Sequence, residues 1–126
     1  MKLLKCNVCG NIVEMIEDKG VPVMCCGKPM MELNANTTDA ATEKHVPVAE
    51  IIDSNLHVKV GSVEHPMLPE HFITSIFAEF NNRVYRANLK PGEKPEAVFA
   101  LNGYKGKVVV YEYCNLHGLW KTELEA

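Results

Sequence analysis

The chain has 126 residues, with 13 basic against 16 acidic side chains and a net charge of −3. Its 47% hydrophobic and 23% charged residues make a globular composition, neither disordered nor fibrous, and the acidic balance leaves no basic footprint for nucleic acid. Apolar runs such as residues 108–111 are far too short to span a bilayer. The opening Met1-Lys2-Leu3-Leu4-Lys5-Cys6 lacks the apolar core of a secretory signal, so a cytoplasmic protein with no membrane partner is expected.

The first 36 residues read as a small unit. Two cysteine pairs flank a strand-like Ile12-Val13-Glu14-Met15-Ile16, a turn at Asp18-Lys19-Gly20, and a short extended piece over residues 21–24. So short a segment cannot bury enough apolar surface to offset its chain entropy, and units of this size are usually held by a metal or a disulfide. The polar stretch of residues 34–39 has no periodicity and reads as a linker.

From about residue 43 onward the pattern is one of short strands. Residues 46–52 and 56–60 flank a turn at Asp53-Ser54-Asn55, with Leu56, Val58 and Val60 facing a core and His57 and Lys59 facing away. Phe72, Thr74, Ile76, Ala78 and Phe80 alternate along one face of a longer strand ending at Asn81-Asn82. Residues 84–86 follow that turn, and Lys90-Pro91-Gly92 closes the segment. Residues 96–101 and 107–113 supply two more strands around Asn102-Gly103. No window shows a sustained helical stripe. Short strands at regular turn signals indicate a mainly β protein, with an immunoglobulin-like antiparallel β-sandwich after the small N-terminal unit. The expected domains are 1–36 and 37–126.

Sulfur and imidazole carry the chemistry. Four of the five cysteines lie in the first 26 residues, and all five histidines lie after residue 44, which points to two sites of different chemistry. An odd cysteine count argues against a disulfide framework. Cys6-x-x-Cys9 followed by Gly10 has the form of a metal knuckle, and Cys25-Cys26 adds a second pair. Four thiolates without a nearby imidazole suit tetrahedral zinc or iron. The bland reading is a structural zinc knuckle, and a vicinal disulfide would leave Cys6 and Cys9 without partners.

The second constellation is His45 in Glu43-Lys44-His45-Val46-Pro47, His65 in Glu64-His65-Pro66-Met67, His71 after Glu70, and Cys114-Asn115-Leu116-His117-Gly118. Imidazoles at strand ends and loops can converge at one end of a sandwich, where they suit iron, copper, zinc or nickel, with a thiolate adding soft donation. His57, beside Lys59 on a polar strand face, reads as solvated. A Cys–His pair could also be a nucleophile and its base, but no nucleophile turn or orienting partner accompanies it.

Together these segments resemble the desulfoferrodoxins, the two-iron class of superoxide reductases, over essentially the whole chain. The residues that carry the likeness are Cys6-x-x-Cys9 with Cys25-Cys26, Glu43-Lys44-His45-Val46-Pro47, Gly61-Ser62-Val63-Glu64-His65-Pro66-Met67, and Glu112-Tyr113-Cys114-Asn115-Leu116-His117-Gly118. The resemblance implies a desulforedoxin-like first domain holding a tetrahedral iron through Cys6, Cys9, Cys25 and Cys26. It implies a second, square-pyramidal iron with His45, His65, His71 and His117 in a plane and Cys114 as axial ligand. Opposite Cys114 the ferrous site would be open. Glu43 would ligate the ferric ion there, and Lys44 would supply a positive charge and organise proton relay.

The activity so implied is one-electron reduction of superoxide to hydrogen peroxide, with re-reduction by a small iron–sulfur carrier such as rubredoxin. A homodimer is implied as well. Amide hydrogen bonds from Leu116 and His117 to the Cys114 sulfur would tune its donation. A non-catalytic electron-transfer or metal-binding module, which predicts a closed second site, is the rival from another class. A zinc-ribbon adaptor on a β-sandwich is the third reading.

Overall fold

The computed structural model describes all 126 residues, which divide into two compact units, Met1–Asn34 and Ala35–Ala126. In the first unit β1 (Leu3–Lys5) lies between β2 (Ile12–Glu14) and β5 (Met31–Glu32), both antiparallel to it. A second ribbon joins β3 (Met24–Cys25) to β4 (Lys28–Pro29). The only apolar side chains buried here, apart from Cys6, are Leu3 and Leu4. That is too little to stabilise a unit of this length without a cross-link. The strand expected over residues 12–16 is shorter, and the extended piece at 21–24 is paired only at its end.

The second unit is a two-sheet antiparallel sandwich. One sheet runs β10 (Glu96–Ala100), β7 (Asn55–Val60), β6 (Pro47–Ile52), and the other β12 (Gly118–Glu125), β11 (Lys107–Cys114), β8 (Ile73–Phe80), β9 (Arg83–Asn88). Two-residue turns close the β6–β7 and β8–β9 hairpins. Asp53 and Ser54 have φ of 50° and 65°, Asn81 and Asn82 of 54° and 56°, the left-handed pair a type I′ turn requires. Alternation fills the interior with Leu56, Val58 and Val60 from one sheet and Ile76, Ala78, Phe80, Val108 and Val110 from the other.

Four local features differ from the sequence reading. A single helical turn, α1 (Thr42–His45), precedes β6; four residues are too few to show periodicity. At the start of β8 the inward phase slips, so that fully buried Ile73 faces Cys114, while Phe72 and Thr74 are only half-buried. The cause is an irregularity in the ladder between Tyr113 and Cys114. A further strand, β12, follows the last one expected from the sequence, with Trp120, Thr122 and Leu124 alternating along it. Within the expected linker, Asn36 is tied down: its side chain donates to Lys121 O and accepts from Lys121 N, and its backbone N–H donates to Leu119 O.

Register decides where chemistry can gather. Pro47 pairs with Val60, Ile73 with Cys114, and Cys114 with Gly118. The start of β6, the end of β7, the start of β8, the end of β11 and the start of β12 therefore lie at one end of the sandwich.

Candidate metal centres

In the first unit, the segment after β1 turns so that the amides of Val8 and Cys9 both donate to Cys6 Sγ at 3.4 Å, and Asn11 N donates to Cys9 Sγ at 3.4 Å. Gly10, at φ 84°, closes that turn and donates to Cys6 O. Cys25 ends β3, and Cys26 and Gly27 form the turn to β4 at φ 53° and 74°. The left-handed conformation of Cys26 is what allows two adjacent cysteines to present sulfur to one point. One sulfur from each of the four lies within 4.8 Å of the others, and none is in a disulfide.

The thiols differ in acidity. The amides of Cys9 and Val8 pull Cys6 down to about 6, and hydrogen bonds to Cys9 and Cys6 push Cys26 up to about 12. Four thiolates side by side repel one another, and a cation is what allows all of them to ionise together. The donor set fits a tetrahedral four-sulfur metal.

The second cluster is built from all five strand ends of the sandwich. α1 turns His45 inward, where it is 2% exposed, and leaves Glu43 and Lys44 outside. His65 follows β7, its amide bonded to Val60 O; His71 precedes β8, Cys114 ends β11 and His117 precedes β12. The four imidazoles form a closed ring in the order 45, 65, 71, 117. Neighbouring centroids are 4.8, 4.7, 5.1 and 4.9 Å apart, and neighbouring planes are crossed at 75–87°.

His45 Nε2 lies 3.3 Å from His65 Nε2 and 3.1 Å from His117 Nδ1. A metal with bonds of about 2.1 Å to nitrogen holds neighbouring donors ~3 Å apart, so these separations are those of ligands around one ion. Cys114 Sγ lies 3.5 Å from His65 Nε2 and 3.9 Å from His117 Nδ1, two members on opposite sides of the ring. Nε2 of His71 is buried with no partner, an orphan that a metal bond would satisfy.

The electrostatics suit metal binding. Burial pushes the His65 imidazole down to about 4 and lowers His45 and His71 as well, keeping the rings neutral. Their other nitrogens are oriented from outside: His45 Nδ1 lies 2.7 Å from Ala41 O, and His65 Nδ1 2.7 Å from Pro66 O. Such carbonyls fix the ring and raise its basicity as a donor. Burial raises the Cys114 thiol, while the amides of Leu116 and His117 donate to its sulfur and oppose that rise. Glu43 and Lys44 stand outside the donors, but their charges reach them: Glu43 raises His45, and Lys44 lowers His71.

A family model described as Desulfoferrodoxin matches residues 37–123, and one described as Desulfoferrodoxin, N-terminal domain, matches residues 1–33. The chain belongs to the desulfoferrodoxin family. A desulfoferrodoxin from Syntrophotalea carbinolica is 53% identical over 123 residues, covering 98% of this chain and 96% of its own length. A superoxide reductase from Pyrococcus horikoshii is 34% identical over 113 residues, 76% of this chain and 98% of that protein. Among solved structures, the superoxide reductase from Treponema pallidum superposes with a TM-score of 0.75 at 34% identity, covering 94% of this chain and 98% of that one. The desulfoferrodoxin fold here thus carries two iron centres, one in the four-cysteine site and one in the site of four histidines and a cysteine.

Three residues beside the second site were not singled out by the sequence reading. Trp120 stacks on His45 and donates its Nε1–H to His117 O at 3.1 Å. Asn115 bonds to the backbone on both sides of His71. Glu112 is fully buried with neither carboxylate oxygen partnered, and desolvation pushes it up to about 9. The inward series Val108, Val110, Glu112, Cys114 was available in the alternation and would have placed that carboxyl inside. His57 lies outside the cluster, paired in register with Glu50 and Val98.

Proposed function

We infer that this chain is a superoxide reductase, an oxidoreductase that delivers one electron and two protons to superoxide and releases hydrogen peroxide. The observation that carries the reading is the ring of four imidazoles with a buried thiol against it, and with exposed Glu43 and Lys44 next to His45 in the chain. Iron, when bound, supplies the single electron by cycling between its ferrous and ferric states.

The chain's own residues do the rest. His45, His65, His71 and His117 would bind the iron through ring nitrogens, which as uncharged donors leave the charge of the ion uncompensated. Cys114 adds one negative charge from the buried side, and the Leu116 and His117 amides moderate how much of it the sulfur donates. With a net charge of −3 the molecule as a whole repels an anion, so attraction is local; Lys44 supplies it, and its charge is felt at His71. Lys44 also organises the water that brings protons. Glu43 offers a carboxylate donor to the oxidised site.

Cys6, Cys9, Cys25 and Cys26 hold the first iron, whose plainest role is to fold residues 1–36, with residues 37–126 forming the reductase domain. The ferric product must be re-reduced, and the donor is a small iron–sulfur carrier of the rubredoxin kind. Exposed Val8, Ile16, Val21 and Met24 on the small unit support a homodimer. Five unpaired cysteines support a reducing, cytoplasmic setting, and no helix is long and apolar enough to cross a membrane.

The test is to mix the reduced two-iron protein with superoxide while following oxidation of the second site and the yield of peroxide. One peroxide per superoxide consumed, with the second site oxidised in step, is the expected result. Dioxygen evolution, or a second site that stays ferrous, would overturn the reading and leave a binding or electron-transfer module.

A further inference from the structure

Two of the four imidazoles are anchored at a ring nitrogen, and a third, His117, through its backbone. Carbonyls of Ala41 and Pro66 lie against the outer nitrogens of His45 and His65, and the His117 carbonyl accepts from Trp120. For His71 no carbonyl plays that part, and the Nε2 that would face the metal is buried and without a protein partner. Its ring is therefore aimed by the backbone that carries it, a loop of two prolines and a short bridge between Leu68 and His71.

That loop is fastened by Asn115. Its Oδ1 accepts from Phe72 N–H at 2.9 Å, its Nδ2 donates to Glu70 O at 3.0 Å, and its own backbone N–H donates to Phe72 O at 3.2 Å. The two peptide units flanking His71 are thus gripped by one side-chain amide, which bridges the chains where the β8–β11 ladder is irregular. Only an amide satisfies both partners at once. A carboxylate would set a second oxygen against the Glu70 carbonyl, and an apolar side chain would leave the part-buried Phe72 N–H unpaired and release the exposed Glu70 carbonyl to water.

We propose that Asn115 is a positioning residue for the second iron centre: it locks the loop bearing His71 onto the strand end bearing Cys114 and His117, and so fixes the fourth imidazole in the ring. The proposal rests on the assignment of His71 to that centre under the functional reading above. Partners of this kind typically change metal affinity by 10–100-fold when removed.

The test uses the full chain with cobalt(II) as the probe metal, whose two sites are separated by their thiolate and imidazole absorption. In Asn115→Leu, affinity at the second site falls 10–100-fold while the four-cysteine site keeps its own, and the Phe72 amide exchanges with solvent at least tenfold faster. Asn115→Asp, which keeps the acceptor for Phe72 but loses the donor to Glu70, falls between wild type and Asn115→Leu and serves if the leucine variant does not fold. Equal loss at both sites would mark a general loss of stability and overturn the positioning role. Second-site affinity within twofold of wild type would overturn it too. A wild-type protein that binds cobalt as described yet fails to reduce superoxide would sink the functional reading and leave this proposal standing.

Discussion

The indole of Trp120 lies 5.0 Å from the imidazole of His45, centroid to centroid, with their planes 27° apart. The same indole donates to the carbonyl of His117, so one nearly buried side chain packs against one candidate ligand and ties down the backbone of another. Trp120→Phe keeps a ring against His45 and removes the donor, and we expect a loss of about 1 kcal/mol. Trp120→Ala opens a cavity behind the site and should lose about 3–5 kcal/mol. Urea denaturation of the two variants separates the packing from the hydrogen bond.

Gly61 bears on the exposed pair Glu43 and Lys44. A Cβ at this position would stand 2.6 Å from Glu43 O and 3.0 Å from Val46 O, both backbone atoms that cannot swing aside. The loop is drawn in this close because Val63 N and Ser62 Oγ both donate to the Glu43 carbonyl. Gly61→Ala should therefore cost about 1–3 kcal/mol through overpacking and displace the α1 turn. The check is thermal denaturation alongside the rate of superoxide capture. A variant as stable and as fast as wild type would show that the turn yields without consequence.

Lys44 gives a kinetic prediction. In Lys44→Ile the local positive charge is lost while the donor cluster, to which Lys44 contributes no atom, is kept. Local steering changes association rates by roughly 10–10³-fold, and we expect the bimolecular step with superoxide to slow toward the lower end of that range. Pulse radiolysis measures it directly, and an unchanged rate would remove Lys44 from capture. Glu43→Ala should leave this first step unchanged and alter the spectrum of the oxidised site.

How far the sequence carries these conclusions depends on the residue. Strand phase was legible wherever a turn is local: Asp53-Ser54 and Asn81-Asn82 announced their hairpins, and Leu56, Val58 and Val60 their inward face. The four-cysteine set was legible because cysteine is sparse and grouped, whereas the histidines are spread over residues 45–117 and were joined into one set by the resemblance to the desulfoferrodoxins. The pairing of Ile73 with Cys114 was not legible, because an irregular ladder breaks alternation without leaving a mark in the residues beside it. Asn115 was equally hidden, since its role comes from partners 43 and 45 positions away in sequence. The convergence of five strand ends is a property of strand order, which no window of residues contains.

Glu112 is the one inward-facing carboxyl in the series that ends at Cys114, and both of its oxygens are buried without partners. An unsatisfied polar group inside a core costs about 1–3 kcal/mol. Glu112→Met, close in length and apolar, should raise the urea midpoint of the protein by a corresponding amount. A lower midpoint would show that the carboxyl is held by a favourable interaction that its surroundings do not reveal.

The first unit should depend wholly on its metal. Its strands are two or three residues long, and only Leu3, Leu4 and Cys6 are buried among its apolar residues. Against that stand some thirty residues of chain, each costing about 1–2 kcal/mol of backbone entropy to order. The amides of Cys9 and Val8 lower the Cys6 thiol while hydrogen bonds to Cys9 and Cys6 raise that of Cys26, so stripping the metal leaves unequal thiols rather than four thiolates ready to bind. Removal by a chelator under reducing conditions, or the substitution Cys9→Ser, should abolish protection of the Leu3–Lys5 and Met31–Glu32 amides against hydrogen exchange. Readdition of ferrous iron or zinc to the stripped wild-type protein should restore it, because either ion accepts four thiolates in a tetrahedron. Protection that survives complete metal removal would mean that the short strands and two leucines are sufficient by themselves.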